Sequence, residues 1–319
     1  MTLRYRPEGA LQKTLENKES LLSPTALERA RLSGKILEAP AVLCDSELAL
    51  HIDLGCMRGI IPREEALYCR PGEVAKDIAI ITRVGKPVAF KILDFTEQDG
   101  ERVAILSRRA VQEACVEQYL SGLVPGDIIP ARVTHLENYG AFLDVGCGVS
   151  TLLSIDCISV SRISHPRDRL SVGMNLYVVV KSVDAALQRI TVTLRELLGT
   201  WAENAANFSA GQTVVGRVRS VESYGIFVEL APNLAGLAEL RSNESTPITT
   251  APGELAAVFI KSILPERMKI KLVMIDARED LAAPEPLFYY IDPSKTRHID
   301  RWEYSPRGCS KKIETVFEA

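Results

Sequence analysis

The sequence has little net charge and no long apolar run, and both absences exclude broad classes of protein. Its 319 residues carry a formal net charge of −3 at pH 7, which excludes a strongly basic, histone-like binder. Any affinity for nucleic acid therefore has to come from local patches and stacking. Nowhere do about 18 apolar residues follow one another, as a membrane span needs, and residues 1–7 lack the apolar run of a signal peptide. We expect a cytoplasmic protein with no membrane partner.

Cysteine pairs and metal motifs are also missing. The 7 cysteines are scattered without any Cys-x-x-Cys pair, and an odd number without a secretion signal indicates reduced thiols. Cys147, Cys157 and His165 are the nearest approach to a metal-binding set, but their spacing fits no known zinc finger. The sequence therefore predicts no metal site and no cofactor.

Catalytic patterns are absent as well. There is no phosphate-binding loop, no His-Glu-x-x-His and no nucleophile elbow, and the 4 histidines do not cluster in the sequence. Every long apolar segment fits a small β-barrel or a connecting helix, so none remains for a catalytic domain. We expect a protein that is not an enzyme. With 46% hydrophobic and 25% charged residues, its composition is that of an ordinary soluble protein of two or three domains.

One pattern is present twice. In 137–145 and again in 222–230, the order is acid, small polar, Tyr, Gly, aliphatic, Phe, aliphatic, acid, aliphatic, and the flanking segments align as well. Internal self-similarity of this kind indicates duplicated units. Short alternating runs punctuated by Gly and Pro, with about five strands per unit, predict closed antiparallel barrels of the OB type.

Both copies resemble S1-type RNA-binding repeats, the modules of bacterial 30S ribosomal protein S1. The family pattern is Gly-x-Val, then aromatic-Gly-small-Phe-Val-x-aliphatic, then Val-Lys-Val-x-Asp with a basic residue before the last strand, and nearly the whole of each unit follows it. The resemblance implies a mainly β fold of tandem five-stranded OB-type (S1) barrels joined by helical linkers. It also implies a protein that binds single-stranded RNA, namely mRNA, for translation.

We expect seven segments along the chain. They are an N-terminal arm and helix (1–33, mobile over 1–22), a divergent S1-like repeat (34–109), a connecting helix (110–121), an S1 repeat (122–195), a connecting helix (196–209), an S1 repeat (210–280) and a C-terminal extension (281–319).

The divergent repeat lacks the aromatic pair. His51 replaces the Phe, and the Tyr position falls near Glu47 or Leu48, so the stacking surface is expected to be lost. This repeat is expected to bind protein or stiffen the chain. The resemblance suggests docking on the small ribosomal subunit.

Two other aromatic regions are ambiguous. Trp201 is interpreted as a packing anchor between barrels. The C-terminal extension mixes aromatic and basic residues that could stack on nucleic acid. Its apolar runs 287–291 and 313–317 favour strands paired against the third barrel instead.

Two rings on one face are enough to hold a single strand, because a ring beneath a base contributes about 1–3 kcal/mol without reading its identity. Strict strand alternation would place Tyr139 and Phe142 on opposite faces. Gly140 between them can supply a bulge that turns both rings outward. The same reasoning holds for the second copy. The alternative is that one ring of each pair fills the barrel core.

Cations are expected to border the rings. Arg132, Arg217 and Arg219 alternate with apolar residues and should point outward, whereas the alternative for each is an ordinary solvated charge. Asp184 is expected to orient Arg189 or accept from a base edge. The candidate RNA-binding residues are Arg132, Tyr139, Phe142, Arg162, His165, Lys181, Asp184, Arg189, Arg217, Arg219, Tyr224, Phe227, Lys261 and Lys269.

The two copies are not expected to bind equally. Ser154 and Glu239 occupy the place where many such repeats carry a His, and Glu239 would repel phosphate. The basic loop 161–169 adds Arg and His side chains to the first of the two copies. The repeat at 122–195 is therefore ranked above the one at 210–280.

Two other functions stay open. The acidic balance and Glu239 would allow a protein-docking scaffold in which RNA binding has been lost. Similar repeats also serve RNA decay or transcription, so the chain could be an accessory factor whose catalytic activity comes from another chain.

Overall fold

The computed structural model describes residues 4–70, 72, 74–98, 100–239, 250–278 and 286–318. Parts of the predicted segments 1–33, 34–109, 210–280 and 281–319 therefore lie outside the described residues. Two helices open the described chain, α1 (Leu15–Leu21) and α2 (Pro24–Leu32). Ser23 caps α2 by accepting from the Ala26 N–H, and Pro24 occupies the first turn, a Ser-Pro pair that is typical of a helix start. No helix in the described part is long and apolar enough to cross a membrane.

The first closed barrel follows α2. β1, β2 and β3 form an antiparallel meander, β5 runs parallel to β3, and β4 closes the ring between β5 and β1. A short helix, α3 (Asp77–Ile81), precedes β4. The core contains Leu37, Phe90 and Leu106. The strands are β1 (Leu37–Cys44), β2 (Leu50–Asp53), β3 (Arg58–Ile61), β4 (Pro87–Gln98) and β5 (Glu101–Ser107).

The second closed barrel has the same strand order and is reached through α4 (Arg109–Gln118). Its core includes Leu143, Leu153 and Val178. The strands are β6 (Ile128–Glu137), β7 (Gly140–Asp144), β8 (Ser150–Ser154), β9 (Asn175–Asp184) and β10 (Arg189–Thr193).

The third closed barrel repeats this order again and is reached through α5 (Trp201–Ala205). Trp201 is buried in its core, which agrees with the interpretation of this residue as a packing anchor. The strands are β11 (Thr213–Glu222), β12 (Gly225–Ala231), β13 (Leu234–Glu239), β14 (Leu255–Leu264) and β15 (Lys269–Arg278).

The predicted fold class is confirmed, since the chain is mainly β and its described residues form closed five-stranded barrels. One detail of the prediction is wrong, because the barrels are not fully antiparallel. The third and fifth strands of each barrel run parallel, as where Leu153 pairs with Val192 and Leu237 pairs with Lys271. A parallel pair needs a long crossover, and the segment that contains the fourth strand provides it.

The N-terminal arm is docked, so the prediction of a mobile arm is wrong for its described part. Tyr5 and Glu8 are both buried. The Glu8 carboxylate binds Arg108, with a distance of 2.7 Å from Nε to Oε1, and the Glu8 N–H donates to Asp144 at 2.7 Å. Because Arg108 ends the first barrel and Asp144 belongs to the second, the arm holds the two barrels together.

The C-terminal extension packs against both the second and the third barrel. Phe317 packs against the second barrel, whereas Trp302 and Tyr304 pack into the core of the third. Its two strands, β16 (Arg301–Glu303) and β17 (Glu314–Val316), pair with each other. The prediction that the run 313–317 pairs as a strand with the third barrel is therefore wrong. The run 287–291 packs mainly on the second barrel instead.

Candidate nucleic-acid interface

An aromatic pair stands at the β6–β7 hairpin of the second barrel. Glu137 pairs with Gly140, so Asn138 and Tyr139 form the turn between the two strands. The Tyr139 side chain is 55% exposed, and Phe142 is half-buried on the outside of the barrel. The two rings lie edge to face, with centroids 6.3 Å apart and an interplanar angle of 86°. Both rings therefore reach the surface together.

The third barrel carries the same pair at its β11–β12 hairpin. Tyr224 is 60% exposed and Phe227 is half-buried. Their centroids are 6.1 Å apart and the rings make an angle of 89°. The alternative in which one ring of each pair fills the core does not hold, because aliphatic neighbours such as Val228 occupy it.

The physical reason predicted for this arrangement is wrong, since Gly140 does not form a bulge. The register shifts at Thr134 on the opposite strand, between the pairs Val133–Leu143 and His135–Phe142. Tyr139 lies in a turn, so strand alternation does not govern its direction. In the third barrel the shift likewise falls between Val218 and Ser220.

Gly140 and Gly225 are needed for close approach of two backbones. A Cβ on Gly140 would lie 2.4 Å from the Leu153 carbonyl oxygen, and one on Gly225 would lie 2.7 Å from that of Ala238. Only glycine lets the second and third strands pack this tightly behind the rings. The glycine in each copy thus fixes the base of the hairpin.

His135 belongs to the ring cluster, although the sequence did not single it out. It stands opposite Phe142, with ring centroids 6.3 Å apart, and its Nε2 lies 2.7 Å from Glu137 Oε1. Alternation from Val133 places His135 in the core. The bulge at Thr134 turns it outward instead, and only knowledge of that bulge could have predicted its position.

An outward-facing row of side chains continues from the rings across each barrel. In the second barrel Phe142 pairs with Leu152 and Thr191 follows on the next strand, where its hydroxyl bonds that of Ser182 at 2.6 Å. In the third barrel the same place holds Lys271, beside Leu237. Lys271 is not among the RNA-binding residues predicted from the sequence, although alternation along 269–272 predicts that it faces outward with Lys269.

Lys181 lies close to the turn that carries Tyr139. Its Nζ is 3.5 Å from Cys157 Sγ, at the end of the short 3-10 helix Ile155–Cys157. The Ile155 N–H in turn donates to the Tyr139 carbonyl oxygen at 2.9 Å. Lys181 and its counterpart Lys261 are both exposed and both sit where the fourth strand shifts register. A cation thus stands near the Tyr139 turn in the second barrel, and Lys261 takes the equivalent strand position in the third.

Residues 124–195 match the family model for the S1 RNA binding domain. Small ribosomal subunit protein bS1 of Staphylococcus aureus is 31% identical over 233 residues, which are 70% of this chain and 57% of that protein. The chain is an S1-like protein. A bS1 homolog of Bacillus cereus is 34% identical over 198 residues, or 60% of this chain and 49% of the homolog. The S1-like chain thus spans about half the length of the curated relatives it matches.

Solved structures give a weaker likeness. A chain of the a/eIF2alpha–aDim2p–rRNA complex from Pyrococcus horikoshii is 27% identical and covers 26% of this chain and 49% of its own length, with a TM-score of 0.23.

Arg219 does not point outward, so that prediction for the third S1-like barrel is wrong. It is the residue at the register shift, and its side chain is 7% exposed. It binds Glu229, with a distance of 2.8 Å from Nε to Oε2, and Asp168 of the second barrel at 3.3 Å. Arg169 joins the same cluster through Glu229. These four residues, which we call the inter-barrel ion cluster, hold the second and third barrels together.

Arg132 and Arg217 brace their own barrels. Arg132 Nη1 lies 3.4 Å from Asn175 Oδ1, and Arg217 Nη1 donates to the Gly253 carbonyl oxygen at 2.7 Å. Both side chains are half-buried. Arg132 thus contacts the first residue of the fourth strand of its barrel, and Arg217 contacts the loop that precedes the fourth strand of its own.

The remaining candidates are exposed or partly engaged. Arg189 and Lys269 are exposed on the last strands, and Asp184 accepts from the Leu187 N–H at 2.9 Å, which fixes the β9–β10 turn. Arg162 is exposed. His165 caps the 3-10 helix Pro166–Asp168, since its Nδ1 accepts from the Arg167 N–H at 3.0 Å.

The first barrel has no ring pair at the equivalent place. His51 stands opposite Leu43 and Ile60, which is the register position of Phe142, and its Nε2 lies 2.9 Å from Asp45 Oδ2. The turn carries Leu48 with φ 64° and no aromatic residue. The geometry agrees with the expected loss of the stacking surface in this repeat.

Proposed function

We propose that this S1-like protein binds single-stranded RNA through the Tyr–Phe pairs of its second and third barrels, as a non-catalytic factor of translation in the cytoplasm. The observation that carries the proposal is that each pair combines an exposed Tyr with a half-buried Phe and lies edge to face in the same way. An exposed ring beneath a base contributes about 1–3 kcal/mol for any base. The match of residues 124–195 to an RNA-binding domain supports this function.

The inter-barrel ion cluster adds to this proposal. It joins Asp168 and Arg169 of the second barrel to Arg219 and Glu229 of the third. Two weak sites on one framework act together, because binding at the first raises the effective concentration of RNA at the second. We propose mRNA as the ligand and the second barrel as the stronger site, since Glu239 stands beside Lys271 in the third.

The first barrel is proposed to contact the small ribosomal subunit. It lacks the ring pair and exposes apolar side chains instead, with Val42 at 56%, Leu43 at 52% and Leu93 at 44% exposure. The curated relatives are themselves named as small-subunit proteins. Sedimentation with small ribosomal subunits tests this contact. Leu43→Asp is expected to release the protein, whereas Leu32→Asp should not, since Leu32 is an even more exposed leucine that lies on α2.

RNA binding is tested by titrating a fluorescein-labelled single-stranded RNA with full-length protein. The double variants Tyr139→Ala/Phe142→Ala and Tyr224→Ala/Phe227→Ala are each expected to weaken binding at least about fivefold, because each removes one stacking surface. Phe95→Ala is the matched control, since Phe95 is a half-buried ring on the first barrel beneath Arg102. The same RNA annealed to its complement should bind weakly, because its bases are no longer exposed.

The RNA titration and the sedimentation experiment together distinguish the competing functions. Unchanged affinity in both double variants contradicts the ring assignment. No RNA binding by the unaltered protein favours the protein-docking scaffold. RNA binding without cosedimentation with ribosomal subunits favours an accessory role in RNA decay or transcription.

A further inference from the structure

A third aromatic pair lies outside the barrels, in the C-terminal extension. Phe288 and Tyr290 lie edge to face, with centroids 5.1 Å apart and an interplanar angle of 89°. Phe288 is 71% exposed, more than either Tyr139 or Tyr224. The geometry of the two barrel pairs thus recurs on a segment that belongs to no barrel strand.

The segment that carries this pair is firmly held. Leu287, Tyr289 and Ile291 pack against the core of the second barrel. The Tyr289 hydroxyl accepts from the Tyr177 N–H at 3.0 Å, and the two rings lie edge to face. Because every second side chain is anchored, the chain is fixed while Phe288 stays exposed.

Tyr290 is fixed through its backbone N–H, its hydroxyl and the face of its ring. Its N–H donates to the Leu197 carbonyl oxygen at 2.9 Å, and its hydroxyl accepts from Asn207 Nδ2 at 2.7 Å. Its ring covers Gly199, where a Cβ would lie 2.5 Å from the ring. The ring that supports Phe288 therefore loses little freedom when a ligand binds.

The position of the pair relates it to the RNA-binding barrels. Leu197, Gly199 and Asn207 all belong to the segment that joins the second barrel to the third. These contacts place the pair beside the segment through which the second barrel is connected to the third. An exposed ring at that place is suited to a base that neither barrel holds.

We propose that Phe288, supported by Tyr290, is a third base-stacking site for single-stranded RNA, placed between the two S1-like barrels. This proposal rests on the RNA binding proposed above and extends it to a residue of the C-terminal extension. The site reads no base identity, because stacking engages the face of any base. Its occupant is a nucleobase of the same RNA strand that the barrels hold.

The first test is a titration of full-length protein with fluorescein-labelled oligouridine long enough to reach both barrels. Phe288→Ala is expected to weaken binding at least about fivefold, the effect of losing one stacked base. Phe288→Leu should weaken it similarly, because leucine keeps apolar surface and lacks a ring face. Phe288→Trp should bind as tightly as the unaltered protein. The matched control is Leu32→Ala, since Leu32 is 74% exposed on α2.

The second test uses Phe288→Trp as its own reporter. Both native tryptophans, Trp201 and Trp302, are buried at 3% and 5% exposure, so an exposed indole at 288 dominates the part of the fluorescence that a ligand can quench. Oligouridine is expected to quench it in parallel with binding. The unaltered protein should show little quenching under the same conditions.

The outcomes separate this proposal from the one it rests on. If Tyr139→Ala/Phe142→Ala weakens binding and Phe288→Ala does not, the barrels bind RNA and the third site is wrong. If Phe288→Leu binds as tightly as the unaltered protein, the contact is apolar and stacking is contradicted. If the Trp at 288 stays unquenched by bound RNA, the third site is also wrong. If the unaltered protein binds no oligouridine, the proposed function itself fails.

Discussion

At the scale of single residues, one extra residue in a strand decides which side chains stand beside the rings. Strand alternation correctly predicts which side chains of β6 and β11 point inward or outward as far as Val133 and Val218. The register shift that follows turns His135 toward Phe142 and sends Arg219 into the inter-barrel ion cluster. A bulge leaves no reliable mark in the sequence at Thr134 or Arg219. The positions of the His135 and Arg219 side chains therefore could not be predicted without the structure.

Gly140 gives a prediction about stability. Gly140→Ala is expected to destabilise the protein by about 1–3 kcal/mol, because its Cβ would collide with the Leu153 carbonyl oxygen and force the strands apart. Gly122→Ala is the control, since nothing lies within 4 Å of a Cβ there. Thermal unfolding of both variants checks this. Equal stability of the two variants would contradict the close-approach role of Gly140.

Glu239 gives a prediction about affinity. Glu239→Gln is expected to tighten RNA binding several-fold at low salt, because it removes a negative charge and frees Lys271, now 3.7 Å away, to contact phosphate. The gain should shrink as salt rises. Glu101→Gln, the same change on the first barrel, is the control. If both variants bind RNA with the same affinity, the bound RNA does not pass close to Glu239.

At the scale of elements, the three barrels and their linkers follow from the sequence, whereas their mutual packing does not. Repeated alternation and the Ser23–Pro24 signal predict strands and helices because those patterns are local. The inter-barrel ion cluster joins Arg169 to Glu229, residues far apart in the chain. No spacing rule connects them. The docking of Tyr5 and Glu8 likewise depends on two barrels meeting, so the arm looked like a free polar segment.

The inter-barrel ion cluster gives a prediction at this scale. Glu229→Gln is expected to lower stability by about 3 kcal/mol, because it leaves two buried Arg side chains without their shared carboxylate. Asp77→Asn is the control, since it breaks the exposed pair with Arg63, for which about 0–1 kcal/mol is expected. Thermal unfolding measures both. A loss no larger than that of Asp77→Asn would mean that the cluster does not couple the barrels.

At the scale of the whole molecule, the N-terminal arm joins the first two barrels through contacts to buried carboxyls of both. Burial raises the pKa of Glu38 to about 7 and, with the help of Glu8, that of Asp144 to about 7. The Glu38 carboxyl accepts from the N–H groups of Gly9, Leu11 and Gln12, while Arg83 and Arg108 face Glu8. Both carboxyls with a raised pKa therefore lie where the N-terminal arm contacts the barrels.

The expected pH dependence follows from these shifts. In an unfolded chain both carboxyls titrate near about 4, so between about pH 4 and 7 the folded protein binds more protons. The stability they contribute is complete below that range, is lost progressively as pH rises through it, and is gone above about pH 7. The melting temperature should therefore fall between about pH 4 and 7 and level off at higher pH. Glu38→Gln should reduce this fall, and Glu101→Gln should leave it unchanged. An equal fall in all three proteins would contradict the role of Glu38.

The central claim is that the exposed rings of the second and third barrels stack on bases. Photocrosslinking of the full-length protein to a 5-iodouridine-containing single strand, with the attached residues identified by mass spectrometry, tests it most directly, because this chemistry joins the base to a ring stacked on it. We predict crosslinks at Tyr139 or Phe142 and at Tyr224 or Phe227. Crosslinks confined to other parts of the chain, with none at these four rings, would contradict the account.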